Sequence, residues 1–528
     1  MNDIQSILIL LAAVAFLAPL AECLKLAQPI AFVLAGLLLS LIPRFPAMPL
    51  DPEIVFLLCM PPLLYSQAYF TSWREFRREW QPISLLAVGL VIFTTIGTGI
   101  VFHWLIPGSP YAAGFVLGAI ISPPDAVAVA AVSRSLRLPH RLITIMEGES
   151  LVNDATGLVA LKFAVAALAT GQFALHKAAG EFLLVAGGGI GVGLTAGWIL
   201  SWIRRRTKQD SVAVLLSLLS PFAAYIPADH LGLSGVLSVV SAGVYLGWDL
   251  PQHVRFSARL QGLALWQMVE FLLNGLVFLL IGLQLRFVVE DLRGQHTLGE
   301  AVKIAAGVCA VAVILRPLWV FTVAYLRRLL STGIRKSDPM PPFGQLAVLS
   351  WAGVRGVVSL AAALALPDAL PGGKPFPSRE IIVFATFAII LVTLVFQGLT
   401  FPWLVRKLDV RERANHEPLE RKTRARLIRA ALETVEQHPD TTHLGQSALA
   451  TVKASLEEQL SSLEDPSVEA LGWSDNHHKL IITRRMRIAA VQAQRRELMR
   501  LRTTAEIPDN LVHSLTRELD FEEARLQF

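Results

Sequence analysis

Polar and ionisable residues interrupt a long apolar run at residues 146–157, which read MEGESLVNDATG. At 3.6 residues per turn, Glu149 and Asn153 lie one above the other on a helix. An adjoining stripe carries Ser150, Asp154 and Gly157. If this segment is a membrane helix, these polar side chains face the interior of a bilayer, where ionisable groups are costly and usually functional.

The composition of the 528-residue chain predicts an all-α polytopic membrane protein. Apolar residues make up 54% of it and charged residues 17%. Apolar runs of 18 or more residues recur, each long enough to cross a hydrocarbon core about 30 Å thick. The net charge of +6 lies mainly in the short loops between these runs, so no nucleic-acid partner is expected. The three cysteines fall in or beside apolar runs, which argues against a disulfide framework.

Hydropathy predicts about 13 spans. They cover residues 3–21, 27–42, 53–70, 82–106, 111–133, 142–169, 180–203, 211–227, 232–248, 263–288, 299–326, 343–366 and 380–405. The loops on one side carry about 17 Lys and Arg residues and those on the other about 5, so the positive-inside rule places the N-terminus outside and the tail in the cytoplasm.

Two predicted spans contain helix breakers near the level of the membrane centre. The fifth is interrupted by Ile121-Ser122-Pro123-Pro124-Asp125, and the twelfth by Gly353-Val354-Arg355-Gly356. Proline removes a backbone donor and so leaves carbonyls free. Spans five and twelve have opposite orientations, and paired interrupted segments are typical of inverted-repeat transporters with a site near the midplane. No residue-level similarity between the halves is visible.

An oxygen-rich site is predicted where the fifth and sixth spans meet. Its candidate ligands are Ser122, Asp125, Ser150 and Asp154. Oxygen ligands suit hard cations, and no His/Cys cluster indicates zinc or iron. A carboxylate held away from water can carry either a proton or a cation, which would couple the two fluxes. A simpler role stays open for Asp125 and Asp154. Asp125 could cap a helix after the proline break, and Asp154 could cap a helix or make a hydrogen bond within the bundle.

A second acid in the sixth span needs a partner of its own. Arg316 lies well inside the eleventh span, and a buried charge is tolerable when it is paired. We therefore predict a structural ion pair between Glu149 and Arg316, which leaves Asp154 for exchange. Arg355 is expected to cap carbonyls freed at the twelfth-span break. Snorkelling to an interface is the alternative for both arginines.

Three further features of the sequence give weaker indications of structure. A glycine-rich run at 186–193 lacks the Lys-Ser/Thr of a phosphate loop and is predicted to pack closely against another helix. Asn274, Gln284 and Gln397 are lone amides expected to make packing hydrogen bonds. Residues 406–528 are predicted to form a solvated helical domain, with helices near 418–437, 446–463, 477–503 and 509–526, whose role in regulation or dimerisation is left open.

Several stretches together resemble the sodium–proton exchangers of the NhaP/NHE type over about residues 1–405. They are Met60-Pro61-Pro62-Leu63-Leu64, Ile121-Ser122-Pro123-Pro124-Asp125-Ala126-Val127-Ala128, Gly148-Glu149-Ser150-Leu151-Val152-Asn153-Asp154, Leu315-Arg316 and Trp351-Ala352-Gly353-Val354-Arg355-Gly356-Val357-Val358-Ser359-Leu360.

The resemblance implies a monovalent cation–proton antiporter that is a homodimer in the plasma (inner) membrane. It implies a scaffold over about 1–70 and 180–288 and a six-helix core over about 82–169 and 299–405 that moves as an elevator. Asp154 and Asp125 would bind the cation or proton, with Asn153 supporting them and Glu149 paired with Arg316. Exchange would be electroneutral and one-for-one, with no cofactor beyond the transported ions.

Two departures leave the choice among Na⁺, K⁺ and Li⁺ open. Ser66-Gln67 stands where the family often has an acid, and Pro124 stands where a hydroxyl residue often precedes the aspartate. A K⁺/H⁺ exchanger is the alternative within transport. A membrane enzyme using Glu149 and Asp154 as an acid–base pair lacks a recognisable nucleophile motif. An ion sensor that signals through the tail is the third possibility.

Overall fold

A computed structural model describes most of the chain. The described residues are 3–42, 50–125, 136, 138–171, 175–253, 256–292, 297–330, 340–370, 373–411 and 417–436, with short pieces between 449 and 522. The chain divides into two compact units, Met1–Arg413 and Ala414–Phe528. Among these residues, regular structure is helical apart from an isolated bridge between Ala369 and Pro375.

The helices follow one another closely along the first unit. They are α1 (Asp3–Cys23), α2 (Gln28–Ser40), α3 (Pro52–Phe70), α4 (Trp73–Arg78), α5 (Trp80–Leu105), α6 (Tyr111–Ile121), α7 (His140–Thr170), α8 (Leu175–Arg206), α9 (Asp210–His230), α10 (Gly235–His253), α11 (Phe256–Leu283), α12 (Leu285–Leu292), α13 (Leu298–Leu330), α14 (Phe343–Trp351), α15 (Val357–Leu364) and α16 (Arg379–Lys407). Helix α17 (Glu417–Glu436) belongs to the second unit.

Eight helical segments among the described residues are long and apolar enough to cross a membrane. Shorter apolar segments of 10–17 residues lie in α1, α2, α6 and α10. The predicted tenth span, 263–288, lies within one apolar segment, Ser257–Leu292, in which α11 and α12 meet at Gln284. The helical hydrogen bonds continue there, since the Gln284 N–H donates to the Leu280 carbonyl and the Val288 N–H to the Gln284 carbonyl. Residues 126–133 of the predicted fifth span, and most of the three last predicted helices of the tail, lie outside the described residues.

Helix α7 carries the polar stretch that opened the sequence. It begins after Pro139 and ends at Gly171, which has φ +69° and donates its N–H to the Ala167 carbonyl over 2.9 Å. A left-handed residue after the last turn is best supplied by glycine, which has no Cβ to clash. The middle of α7 is buried on several sides, so its polar side chains meet protein rather than lipid.

The helices of the first unit form two groups. Helices α5, α6, α7 and α13 to α16 pack mainly on one another, and α1 to α3 and α8 to α11 do the same. The contacts between the groups are fewer, and they run chiefly from α3, α10 and α11 to α7 and α15. The first group thus contains the polar stretch of α7, and the second supplies the surface it faces.

The glycine-rich run of α8 lets two helices of the second group approach closely. A Cβ on Gly189 would lie 2.5 Å from the Ser234 carbonyl oxygen, and one on Gly193 would collide with the Ser238 carbonyl. Nothing lies within 4 Å of a Cβ on Gly191. The prediction that this run packs against a helix is confirmed, and the partner is α10.

We expect Gly189→Ala to destabilise the protein by about 1–3 kcal/mol, since the added methyl group forces α8 away from the α10 backbone. Gly191→Ala is the matched control on the same helix. It should leave stability unchanged or raise it by about 0.5–1 kcal/mol, because glycine is unfavourable inside a helix. The unfolding temperature of the purified protein in detergent measures both changes. Equal effects at the two positions would contradict the close crossing.

Candidate cation and proton site

Arg316 of α13 forms a two-pronged ion pair with Glu149 of α7. Its Nη1 and Nη2 donate to the two Glu149 carboxylate oxygens over 2.5 and 2.8 Å. The side chains are 3% and 1% exposed, so the pair is shielded from water. This parallel arrangement is the strongest geometry available to an arginine and a carboxylate. The structure thus contains the ion pair that the sequence predicts from charge balance.

The same arginine also reaches a third helix. Its Nε donates to the Leu349 carbonyl of α14 over 3.2 Å. Gly353 leaves the necessary space, since a Cβ there would lie 2.8 Å from the Arg316 Cδ. Arg316 therefore connects α7, α13 and the helix that precedes the second interruption.

The two interrupted segments meet through the backbone. Helix α6 ends at Ile121, and α14 ends at Trp351, with five residues between it and the start of α15. The Asp125 N–H donates to the Val354 carbonyl over 2.7 Å. A carbonyl of the second non-helical stretch therefore accepts a hydrogen bond from a backbone N–H of the first.

Arg355 caps carbonyls on both sides of this crossing. Its Nη1 donates to the Gly353 carbonyl over 2.5 Å, and its Nε donates to the Ile121 carbonyl at the end of α6. Its own N–H donates to the Thr393 hydroxyl of α16 over 3.0 Å. The sequence predicted a capping role at the twelfth span, and the structure adds the contact to the fifth. The Arg355 side chain thus donates to carbonyls at both helix interruptions.

Asn153 holds the proline break against α7. Its Nδ2 donates to the Pro124 carbonyl over 2.9 Å, and its Oδ1 is buried with no hydrogen-bond partner among the residues that the structure describes. Gly157, one turn further along α7, allows this approach, since a Cβ there would collide with the Pro123 ring. Proline frees the carbonyl that the asparagine then satisfies.

A small cavity of about 40 Å³ opens beside these contacts, with both candidate acids in its wall. Asp154 is buried, Asp125 is half-buried, and Ser150 lies one turn before Asp154. A Cβ on Gly356, which also lines the cavity, would collide with the Asp125 carboxylate. The space would hold about two or three water molecules, or a cation that has shed much of its hydration shell.

The facing wall comes from the second group of helices. Gln67 and three apolar residues of α3, together with Asn274 and two apolar residues of α11, close the cavity opposite Asp154. The site therefore lies where the two groups of helices meet. In the sequence, Gln67 stands out only as a departure from a family pattern, and Asn274 is predicted to make a packing hydrogen bond. No signal in the sequence places either residue beside the acids.

One predicted ligand lies elsewhere. Ser122 is buried but does not line the cavity, and its hydroxyl donates to the Ala119 carbonyl of its own helix over 3.1 Å. In the described part of the chain, no three His, Cys, Asp or Glu side chains gather into a metal-binding cluster.

A model of a known family matches most of the chain. The family is described as "Sodium/hydrogen exchanger, transmembrane", and the match covers residues 10–407. This chain belongs to that family. The prediction made from the motifs is confirmed, and the protein is a multi-pass membrane protein of the cation/proton exchangers.

Relatives and a solved structure agree with this membership. An uncharacterized Na⁺/H⁺ exchanger of Mycobacterium bovis is 34% identical over 98% of this chain and 95% of its own. A sodium, potassium, lithium and rubidium/H⁺ antiporter of Bacillus subtilis is 31% identical over 92% of this chain and 72% of its own.

The solved structure is the sodium proton antiporter MjNhaP1 from Methanocaldococcus jannaschii. It matches with a TM-score of 0.61 and 22% identity, over 77% of this chain and 98% of its own. The likeness shows that the two chains share an all-α fold.

Removing Arg316 should strongly destabilise the exchanger, because Glu149 would be left buried and unpaired. We expect Arg316→Ala to cost about 3–5 kcal/mol. The double variant Glu149→Gln with Arg316→Ala should recover part of this loss, since no unpaired charge remains. Thermal unfolding in detergent measures both.

A surface pair provides the control for this experiment. Arg286 and Glu290 are 2.9 Å apart with side chains 45% and 52% exposed. Arg286→Ala should therefore cost no more than about 1 kcal/mol. If Arg316→Ala were no worse than Arg286→Ala, the buried pair would not stabilise the fold.

Proposed function

We propose that this chain exchanges Na⁺ for H⁺, with Li⁺ or K⁺ as the alternative cations, and that cation and proton compete for Asp154. The supporting observation is the division of acids on α7. Glu149 is fully engaged with Arg316, whereas Asp154 lines a cavity shared with Asp125 and Ser150. Of the two acids, Asp154 is thus the one positioned to bind cargo.

The chemistry of the cavity favours one positive charge at a time. Two nearby carboxylates repel when both are ionised, and a bound proton or cation relieves this repulsion. Carboxylate and hydroxyl oxygens of Asp154, Asp125 and Ser150 would replace part of the hydration shell of the ion. Since a proton and a monovalent cation carry the same charge, one-for-one replacement is electroneutral.

Alternating access follows from the position of the site between the two groups of helices. We assign α5 to α7 and α13 to α16 to a moving core, which carries both acids and both interruptions. Helices α1 to α3 and α8 to α11 form the scaffold and the dimer contact. The core slides as an elevator and exposes the cavity to either side in turn. The topology that we propose has thirteen spans, with the N-terminus outside and the tail in the cytoplasm.

The central test is Asp154→Asn, which keeps the shape of the side chain but removes its charge. In proteoliposomes, cation-dependent dissipation of a pH gradient should fall to the background of empty vesicles. Asp229→Asn, an exposed residue at the end of α9, should exchange at the wild-type rate. Wild-type exchange by Asp154→Asn would overturn the assignment, provided both variants elute and unfold like the parent.

An exchanger that transports K⁺ in place of Na⁺ is the alternative. The Bacillus subtilis relative is named for sodium, potassium, lithium and rubidium, and Gln67 and Asn274 give this cavity neutral amides on the scaffold side. We expect Na⁺ to dissipate the gradient when Na⁺, K⁺, Li⁺ and Rb⁺ are compared at equal concentration. Activity with K⁺ alone would favour a K⁺/H⁺ exchanger. Rates independent of an imposed membrane potential would support electroneutral exchange.

A further inference from the structure

A second cavity, of about 80 Å³, lies at one end of the core helices and shares no residue with the cation site. Four helices surround it: the beginnings of α5, α7 and α14, and the last turns of α13. Nothing in the proposed exchange reaction uses it. It combines a charged end with apolar walls.

Three arginines form the charged end. Arg141 donates from Nη2 to Glu79 over 2.9 Å, Arg327 donates from Nη2 to Gln81 over 2.7 Å, and Arg328 donates from Nη1 to the Ala324 carbonyl over 2.9 Å. These contacts fix the direction of each side chain. Among the described residues, no Asp or Glu lines the cavity itself. Because Glu79 balances the charge of Arg141, the positive charge that suits the cavity to an anion comes from Arg327 and Arg328.

The walls become apolar with depth along the helices. On α13, one face carries Trp319, Val320, Val323 and Ala324 and ends at Arg327 and Arg328. Nine residues separate Trp319 from Arg328, which is about 14 Å along a helix. Helix α7 repeats the pattern, since Arg141 is followed by Leu142 and Ile145 in the wall, and α14 does so from Gln345 to Leu349.

We propose that this cavity binds an anionic phospholipid. The arginines would hold the phosphate of the headgroup, since guanidinium groups pair with phosphate oxygens through parallel hydrogen bonds. The first part of an acyl chain would lie along Leu85, Val320 and Val323. A free phosphate would use only the charged end, whereas a lipid matches the charge and the apolar depth together. Basic pockets between membrane helices on the cytoplasmic side commonly bind such headgroups.

The site joins helices that belong to one group. A lipid held there touches α5, α7, α13 and α14, all of which we assign to the moving core. It would thus be carried with the core and would hold the ends of these helices together. On the proposed orientation, this end faces the cytoplasmic leaflet.

Binding can be measured without ion flux, so its outcome is independent of the exchange reaction. The purified full chain in detergent is titrated with dioctanoyl phosphatidylglycerol, dioctanoyl phosphatidylcholine or inorganic phosphate. Adducts are counted by native mass spectrometry and unfolding temperatures are recorded. We expect the anionic lipid to bind and stabilise the protein, with little effect from the neutral lipid or from phosphate.

Variants then locate the site. Arg327→Gln with Arg328→Gln should weaken phosphatidylglycerol binding at least tenfold. The matched control is Arg205→Gln with Arg206→Gln, an arginine pair that ends α8 outside this cavity, and it should bind as the parent does. Val323→Trp fills the apolar wall and keeps every arginine, so it should also weaken binding. It tests the site even if the arginine variant does not fold.

Three results would overturn the proposal. The first is unchanged phosphatidylglycerol binding in both the arginine variant and Val323→Trp. The second is equal binding of phosphatidylcholine, since the arginines would then not select charge. The third is inorganic phosphate stabilising the protein as much as the lipid does, which would make the cavity a site for free phosphate.

Discussion

Backbone polar groups inside a membrane have no water to bind, and every interrupted helix must therefore find partners within the protein. This constraint determines how the centre of the exchanger is built. The free carbonyls of Ile121 and Gly353 are both capped by Arg355, and that of Pro124 by Asn153. The Asp125 N–H is satisfied by the opposite interruption. The position of the candidate cation site follows from these contacts, because Asp125 lies at their centre.

The same contacts explain why the sixth-span stretch contains so many polar residues. Each has a separate structural or chemical role: Glu149 neutralises Arg316, Asn153 caps the proline break, and Asp154 lines the cavity. A buried ion pair is expensive to break, and neither partner of this pair lines the cavity. In the proposed function, the Glu149–Arg316 pair stays intact while Asp154 binds a proton or a cation in turn.

The division into two groups of helices gives the site its second wall. Gln67 and Asn274 come from α3 and α11, whereas the acids belong to the other group. Small residues keep helices of the second group close, as at Gly189 and Gly193. In the proposed mechanism the second group is the scaffold, and the fewer contacts between the two groups support rigid-body movement of the first. In the proposed mechanism, movement of the core would change which amides face the acids.

Sequence alone determined the helical character, the family and much of the polar chemistry. The sixth span was predicted at 142–169 and α7 covers His140–Thr170, because long apolar runs and a glycine end are local signals. Charge balance was enough to pair Glu149 with Arg316, since two opposite charges deep in a membrane have few other solutions. The motifs were distinctive enough to identify the family.

Only the tertiary structure decided which side chains share the cavity. Ser122 donates its hydroxyl to a carbonyl of its own helix, and Arg355 donates to the Ile121 carbonyl. Gln67 and Asn274 line the same cavity as Asp154. Helical spacing determines which residues share one face of a helix. Contacts between segments far apart in the chain depend on how helices cross, and that is settled by packing and by the partners that broken backbones require.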